Sequence, residues 1–327
     1  MRANSDLDHA MKLAISRMAN RHRPGSLPNI AMLSSRRSGT TLVAEVFARA
    51  KGVKLIDQPL SQYTAGAAHS RYLPPFAGSY PFQLSSEDRA RLRELFVGWH
   101  EGRLHFSEPW RAYSPRFKWR TDRLFFKFTE GHAIAEDISE FIPLRSFAFF
   151  RHPIPHTISC MRLGWSARGG NFLKQEALLA EYFDRDQIRL IRQIDASGEE
   201  FDRVLVNWFV ENAPLLRIVA TTQNQFPAFT YESLILEPEV QLTRIAEHCR
   251  VPLTPAMMTP MGHASRSSGA RKTGSEVSGM IKQGDRERIV SAWQERLSPR
   301  DTEVTRAVFD TLGCSIYSGD SPVARGL

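Results

Sequence analysis

The chain has 327 residues, 42% of them apolar, 10% aromatic and 24% charged, a balance that excludes a disordered or fibrous protein. This length allows about two domains or one large α/β unit. The formal net charge of +8 points to a negatively charged partner, and nucleic acid, an anionic membrane, an acidic glycan and a phosphorylated nucleotide all fit.

Met1 to Arg23 is mixed polar and basic and lacks the apolar core of a signal peptide; no later run is long enough to span a bilayer. Cys160, Cys249 and Cys314 are odd in number and far apart, with no CxxC pair. They support neither a disulfide framework nor a zinc site. A cytoplasmic protein is expected. Leu7, Ala10, Met11, Ala14, Ile15 and Met18 recur at helical spacing beside Lys12, Arg17 and Arg21. This predicts an amphipathic helix over 6–21, docked on the body or lying on a membrane surface or partner. Residues 1–26 are read as this leading segment, 27–315 as a single α/β domain and 316–327 as a loose tail.

After Pro24-Gly25, the run Asn29 to Leu33 reads as a buried strand, followed by the small-residue loop Ser34-Ser35-Arg36-Arg37-Ser38-Gly39-Thr40-Thr41 and then by Leu42, Val43, Val46 and Phe47 at helical spacing. Val53 to Ile56 closes a βαβ unit. The segment from Asp57 to Pro81, rich in Pro, Gly, Ser and Tyr, is too long for a connector and reads as a substrate-facing lid. A helix is expected over Ser86–Trp99, capped by Ser85 or Ser86, with buried strands at Leu124–Phe128 and Ser146–Phe150 and a helix near Ala133–Phe141 between them. Helices follow over Pro155–Leu163, Leu173–Ile194 and Glu200–Val219, then a strand over Pro227–Tyr231 and a helix over Pro238–Cys249. Gly262 to Gly284 reads as mobile, and two amphipathic helices close the chain. Strands alternating with helices predict an α/β fold in which helices flank a central parallel sheet.

Two motifs are read for chemistry, beside the plainer readings of a capped helix start without a ligand for the first and of an arginine capping a strand end with a serine buried in the next helix for the second. In the first, a loop between strand and helix gathers unpaired backbone N–H groups and the helix dipole at one point, which attracts phosphate. Gly39 allows close approach, the Ser and Thr hydroxyls add donors, and Arg36 and Arg37 supply charge. Thr40 stands where the nucleotide triphosphatase pattern GxxxxGK[ST] requires lysine, and Ser34 stands in the place of its first glycine, so ATP or GTP hydrolysis is disfavoured. In the second, the strand Phe147 to Phe150 delivers Arg151 to the carboxyl edge of the sheet, where open α/β folds bind ligands. Ser159 lies eight residues later, two helical turns into the next helix.

With these motifs the sequence resembles the sulfotransferases that use 3′-phosphoadenosine 5′-phosphosulfate, over roughly Asn29 to Thr273 and as separated motifs. The resemblance implies a P-loop-like architecture in which Arg37, Ser38, Gly39, Thr40 and Thr41 bind the 5′-phosphosulfate and Arg151 and Ser159 the 3′-phosphate. Tyr231-Glu232-Ser233-Leu234 and Glu237-Pro238 look like the family's YEDL…DP stretch, which implies that Tyr231 lies near the adenine. Arg271-Lys272 looks like its basic pair closing over the 3′-phosphate. No metal is implied.

Transfer would be in line, with Arg37 meeting charge on the leaving oxygen. The best-known cytosolic members carry a Lys-Thr-His run, and the matching place here is Lys127-Phe128-Thr129. Lys127 keeps the lysine, but Thr129 is a poor base. Asp57, 20 residues after Arg37, resembles the acidic base of other branches and is the leading choice, with Glu130, His132 and His69 behind it; plain turn chemistry would also explain an Asp-Gln-Pro sequence. The tryptophans read as core or acceptor-pocket walls, and the basic run Arg111–Arg123 as a solvated loop or a rim for an acidic acceptor. A nucleotide-dependent kinase and a non-catalytic anion- or partner-binding module are the alternatives.

Overall fold

The computed structural model describes residues 20–61, 69–74, 83–105, 117–165, 173–222, 225–263 and 279–325, together with Met11, Ala14 and Met18. A short β1 (Arg21–His22) leads into β2 (Asn29–Leu33), α1 (Thr40–Phe47) and β3 (Val53–Asp57). Then come α2 (Ser86–His100), β4 (Arg120–Thr121), β5 (Arg123–Phe128), α3 (Ala135–Phe141), β6 (Leu144–Phe150) and α4 (Pro153–Met161). The C-terminal half contributes α5 (Glu176–Tyr182), α6 (Arg185–Ser197), α7 (Glu200–Thr221), β7 (Ala228–Thr230) and α8 (Tyr231–Leu236). It ends with α9 (Pro238–His248), α10 (Pro255–Met258), α11 (Arg286–Ser291) and α12 (Pro299–Leu312).

Five strands form one parallel sheet in the order β3-β5-β2-β6-β7. Side chains alternate along each strand, so each apolar run serves two layers. Ile30, Met32, Phe125, Phe147 and Phe149 face α1 and α9, meeting Leu42, Val43, Phe47 and Ile245. Ala31, Leu33, Phe126, Phe128 and Phe150 face the other way, against Phe96, Trp99, Trp208 and Phe309 of α2, α7 and α12. A parallel strand buried on both faces reads as a continuous apolar stretch, which is why β2, β5 and β6 fall where the sequence places them.

The expected α/β architecture with a central parallel sheet is observed, with several differences of detail. The helix expected over Leu173–Ile194 is broken: Asp184 caps a new helix, accepting from the N–H of Asp186 and Gln187, while the Gln187 side chain returns the bond to the Asp184 N–H. Tyr231, expected in a strand, opens α8, because the Thr230 hydroxyl accepts from Ser233 N and starts the helix one residue early. Met11, Ala14 and Met18, placed on a docked apolar stripe, are helical but exposed. Ile316 and Tyr317, placed in a loose tail, are 2% and 1% exposed. The lid expected over 57–81 is, in its described parts, built into the core, since Leu60, Tyr72 and Leu73 are buried apolar side chains. Residues 279–283 of the segment expected to be mobile are helical. Trp119 is 62% exposed and walls no core.

Arg123, read as part of a solvated basic run, is 5% exposed. Its guanidinium donates to the carbonyls of Pro28 (2.8 and 2.6 Å), Cys249 (2.8 Å) and Arg250 (3.1 Å), tying the start of β5 to the approach to β2 and the end of α9. Burial lowers its pKa, and the carbonyls offset the lost hydration. Arg123→Met strips all three carbonyls of this donor at once. The expected loss is about 3 kcal/mol or more of unfolding free energy, read as a lower urea midpoint with unchanged slope; an unchanged midpoint contradicts this role.

Candidate active site

The loop after β2 is shaped by two left-handed residues, Arg37 at φ 65° and Gly39 at φ 85°. Glycine adopts such a φ freely, whereas an arginine there is held by its surroundings at some cost. Ser34 and Ser35 are buried, and Ser35 Oγ donates to Asn212 Oδ1 at 2.8 Å, pinning the loop to α7. Gly39 caps α1 without a side-chain acceptor, and no acidic residue lies in the first turn. The opening N–H groups of α1 are therefore left for a ligand or solvent.

Register brings the second motif to this loop. β6 pairs beside β2, and Phe150 on β6 matches Thr230 on β7, so Arg151 and Tyr231 leave the same sheet edge side by side. The Arg151 guanidinium lies 4.9 Å from the Tyr231 ring centre, and its Nη1 donates to the carbonyl of Arg37 at 2.9 Å. The Tyr231 ring also lies against Gly39, where a Cβ would fall 2.3 Å from its Cδ2. Arg37 Nε donates to Ser159 Oγ at 3.1 Å. Residues 37–39, 151, 159 and 231 thus meet in one place. Arg36 and Arg37 further cover Trp165, with guanidinium carbons 4.9 and 5.9 Å from the ring centre. Arg271 and Lys272 lie outside the described residues.

The local charge is strongly positive. His156 on α4 is pushed down to about 3, first by burial and then by Arg151, Arg36 and Arg37. Burial raises the Tyr231 phenol, while Arg151 and Arg37 pull it the other way. Ser38 Oγ and Arg151 Nε are buried without a hydrogen-bond partner. These are the donors that the oxygens of a phosphate would take up.

A polar brace stands behind Arg151. Glu232 is 1% exposed; it accepts from His152 N at 3.0 Å and from the Tyr317 hydroxyl at 2.8 Å. Burial raises the Glu232 carboxyl, against the opposing pull of the His152 N–H and Arg151. His152 Nε2 donates to the Ser318 carbonyl at 2.9 Å, and Nδ1 accepts from Ile154 N at 3.2 Å. Burial pushes its imidazole down to about 4. Glu232 and His152 lie within the sequence motifs; Tyr317 and Ser318 carry no sequence signal, because their role depends on the tail folding back.

Asp57 and Lys127 are partners. They face each other in register on β3 and β5, and Lys127 Nζ lies 2.9 Å from Asp57 Oδ1. The ammonium side chain is 4% exposed and the carboxylate 27%, so the carboxylate is the end solvent reaches. Lys127 is also in register with Met32 on β2, one strand from the loop. His132 is buried and donates Nδ1 to the Glu211 carbonyl at 2.8 Å, leaving Nε2 without a partner. His69 is buried edge-on to Trp99, Thr129 is buried, and Glu130 is half-buried. Among the described residues no group of His, Cys, Asp and Glu is arranged to hold a metal ion, and no helix is long and apolar enough to cross a membrane.

No family model and no curated protein matches the chain. Solved structures similar to it include the sulfotransferase domain of the Synechococcus PCC 7002 olefin synthase, at 16% identity and TM-score 0.43, covering 85% of this chain and 90% of that one. The sulfotransferase domain from the curacin biosynthetic pathway is similar at 17% identity and TM-score 0.40, covering 72% and 78%. Mouse sulfotransferase SULT7A1 complexed with PAP is similar at 12% identity and TM-score 0.39, covering 94% and 90%.

The buried imidazoles of His152 and His156 set a pH dependence. An unfolded imidazole takes its proton near pH 6.5, whereas these two take theirs at about 4 and about 3. Below about pH 6.5 the unfolded chain binds more protons than the native one, so their contribution is complete above that value and is lost as pH falls. From pH 7 to 5 each is expected to cost about 2 kcal/mol. Thermal melts should show the midpoint dropping over this range and His156→Gln lessening the drop; equal drops in both proteins contradict the assignment.

Proposed function

We propose that the chain is a sulfotransferase that takes its sulfuryl group from 3′-phosphoadenosine 5′-phosphosulfate and passes it to a hydroxyl or amine of a glycan, lipid, peptide or small metabolite. One observation carries the reading: three stretches remote in sequence meet through Arg151 on the Arg37 carbonyl, Arg37 on Ser159, and Tyr231 against Gly39 and Arg151. A ligand with phosphate at two ends suits such a meeting place. The buried, unpartnered Ser38 Oγ and Arg151 Nε suit its oxygens.

In this reading Arg37, Ser38 and the N–H groups from Gly39 to Thr41 hold the 5′-phosphosulfate. Arg151 and Ser159 hold the 3′-phosphate, Arg36 lines the mouth, and the Tyr231 ring borders the adenine. Arg271 and Lys272 close over the 3′-phosphate. Arg37 reaches Ser159 and so stands between the two phosphate positions. The acceptor oxygen or nitrogen forms its bond to sulfur as the bond from sulfur to the 5′-phosphate oxygen breaks, and the charge appearing on that phosphate oxygen is met by Arg37 and the start of α1. Asp57 takes the acceptor's proton, and buried Lys127 fixes the carboxylate in place. Asp57 is preferred over His132 because its carboxylate reaches solvent, whereas His132 Nε2 is buried. The free thiols of Cys160, Cys249 and Cys314 suit a reducing compartment, the cytoplasm.

Adenosine 3′,5′-bisphosphate at about 1 mM should raise the melting midpoint by about 4 °C if its dissociation constant is roughly 10 µM. Arg151→Ala should remove the shift. No shift in the parent protein, or a shift that survives in the variant, contradicts the proposed donor site.

Asp57→Asn should keep that shift yet lower transfer of labelled sulfate from the donor to lysate components by about 10²-fold or more. Undiminished transfer would remove Asp57 from the role of base.

A further inference from the structure

The opposite edge of the sheet carries a groove that the donor site does not use. It has a volume of about 810 Å³, and its lining includes the cations Arg21, Arg23, Lys51 and Arg120 and the apolar Val251 and Pro252. These residues lie before β2, β3 and β5 and after α9, at the amino ends of the parallel strands, whereas Asp57, Lys127 and Arg151 emerge at the carboxyl ends.

Arg21 and Arg120 are directly paired in the parallel β1–β4 ladder, and like charges in register on neighbouring strands destabilise a sheet. The ladder fixes their backbones side by side. Arg21 N donates to the Trp119 carbonyl at 2.8 Å and Arg23 N to the Thr121 carbonyl at 2.9 Å. On the inner side, His22 Nε2 donates to the His100 carbonyl at 3.1 Å and its Nδ1 lies 3.0 Å from Thr121 Oγ1. Among the described residues none of the four cations has a carboxylate partner. The one acid in the lining, Asp122, packs against Gly25 and Gly52 instead.

We propose that this groove is a second anion site, for a soluble ligand bearing two or more phosphate or sulfate ester groups on an uncharged carbon body. Paired guanidiniums bind such groups through two parallel hydrogen bonds, and Val251 and Pro252 offer the body apolar surface. An anion between Arg21 and Arg120 turns their repulsion into attraction. The site stands apart from the donor edge and does not depend on the proposed transfer reaction.

Titration calorimetry at low salt tests this with two probes built on the same uncharged ring, inositol hexakisphosphate and inositol hexasulfate, and the one that binds more tightly identifies the source. Binding of either should be tighter than about 100 µM, weaken as salt rises, and persist in the Arg37→Ala/Arg151→Ala protein. Arg21→Gln/Arg120→Gln should weaken it about tenfold or more and leave the melting midpoint unchanged or higher. If that variant does not fold, Arg23→Gln/Lys51→Gln serves in its place. The proposal is overturned if neither probe binds, if binding survives neutralisation of the groove, or if it is lost with Arg37 and Arg151.

Discussion

Arg151 Nη1 reaches the carbonyl of Arg37 at 2.9 Å across 114 residues of chain, and the candidate site depends on that contact. A left-handed Arg37 is unfavourable alone; a guanidinium on its carbonyl and Ser159 on its Nε hold it. The strand order supplies the rest. β2 lies between β5 and β6, so the loop after β2 is flanked by the strand ending in Lys127-Phe128 and the strand delivering Arg151. Ligands of open α/β sheets bind where neighbouring connections part to opposite sides, and the chain runs from β2 to β3 on one side and later to β6 on the other.

The brace of Glu232, Tyr317, His152 and Ser318 explains why the C-terminal segment is packed rather than loose. A buried carboxyl needs donors, and Glu232 finds one just past the strand that leads to Arg151 and another on Tyr317. The residues after α12 therefore help to fix the end of β6.

Much of this was legible in the sequence. Asn29–Leu33 and Phe147–Phe150 read as buried strands because both faces of each are covered, and the small residues of the loop announce a turn into a helix. The pairing of Asp57 with Lys127 was not legible, since it depends on the register of strands 70 residues apart. The burial of Tyr317 depends on a partner, Glu232, 85 residues away. The groove at the other edge escaped for the same reason: Arg21 and Arg120 become neighbours only through the β1–β4 pairing.

The most direct measurement is a double-mutant cycle on adenosine 3′,5′-bisphosphate affinity with Arg37→Ala, Arg151→Ala and the two combined. If one ligand is held by both side chains, each single change weakens binding by about tenfold or more, and the combined loss departs from their sum by about 0.5 kcal/mol or more. If either single change leaves the dissociation constant untouched, the two arginines do not serve one ligand and the account fails.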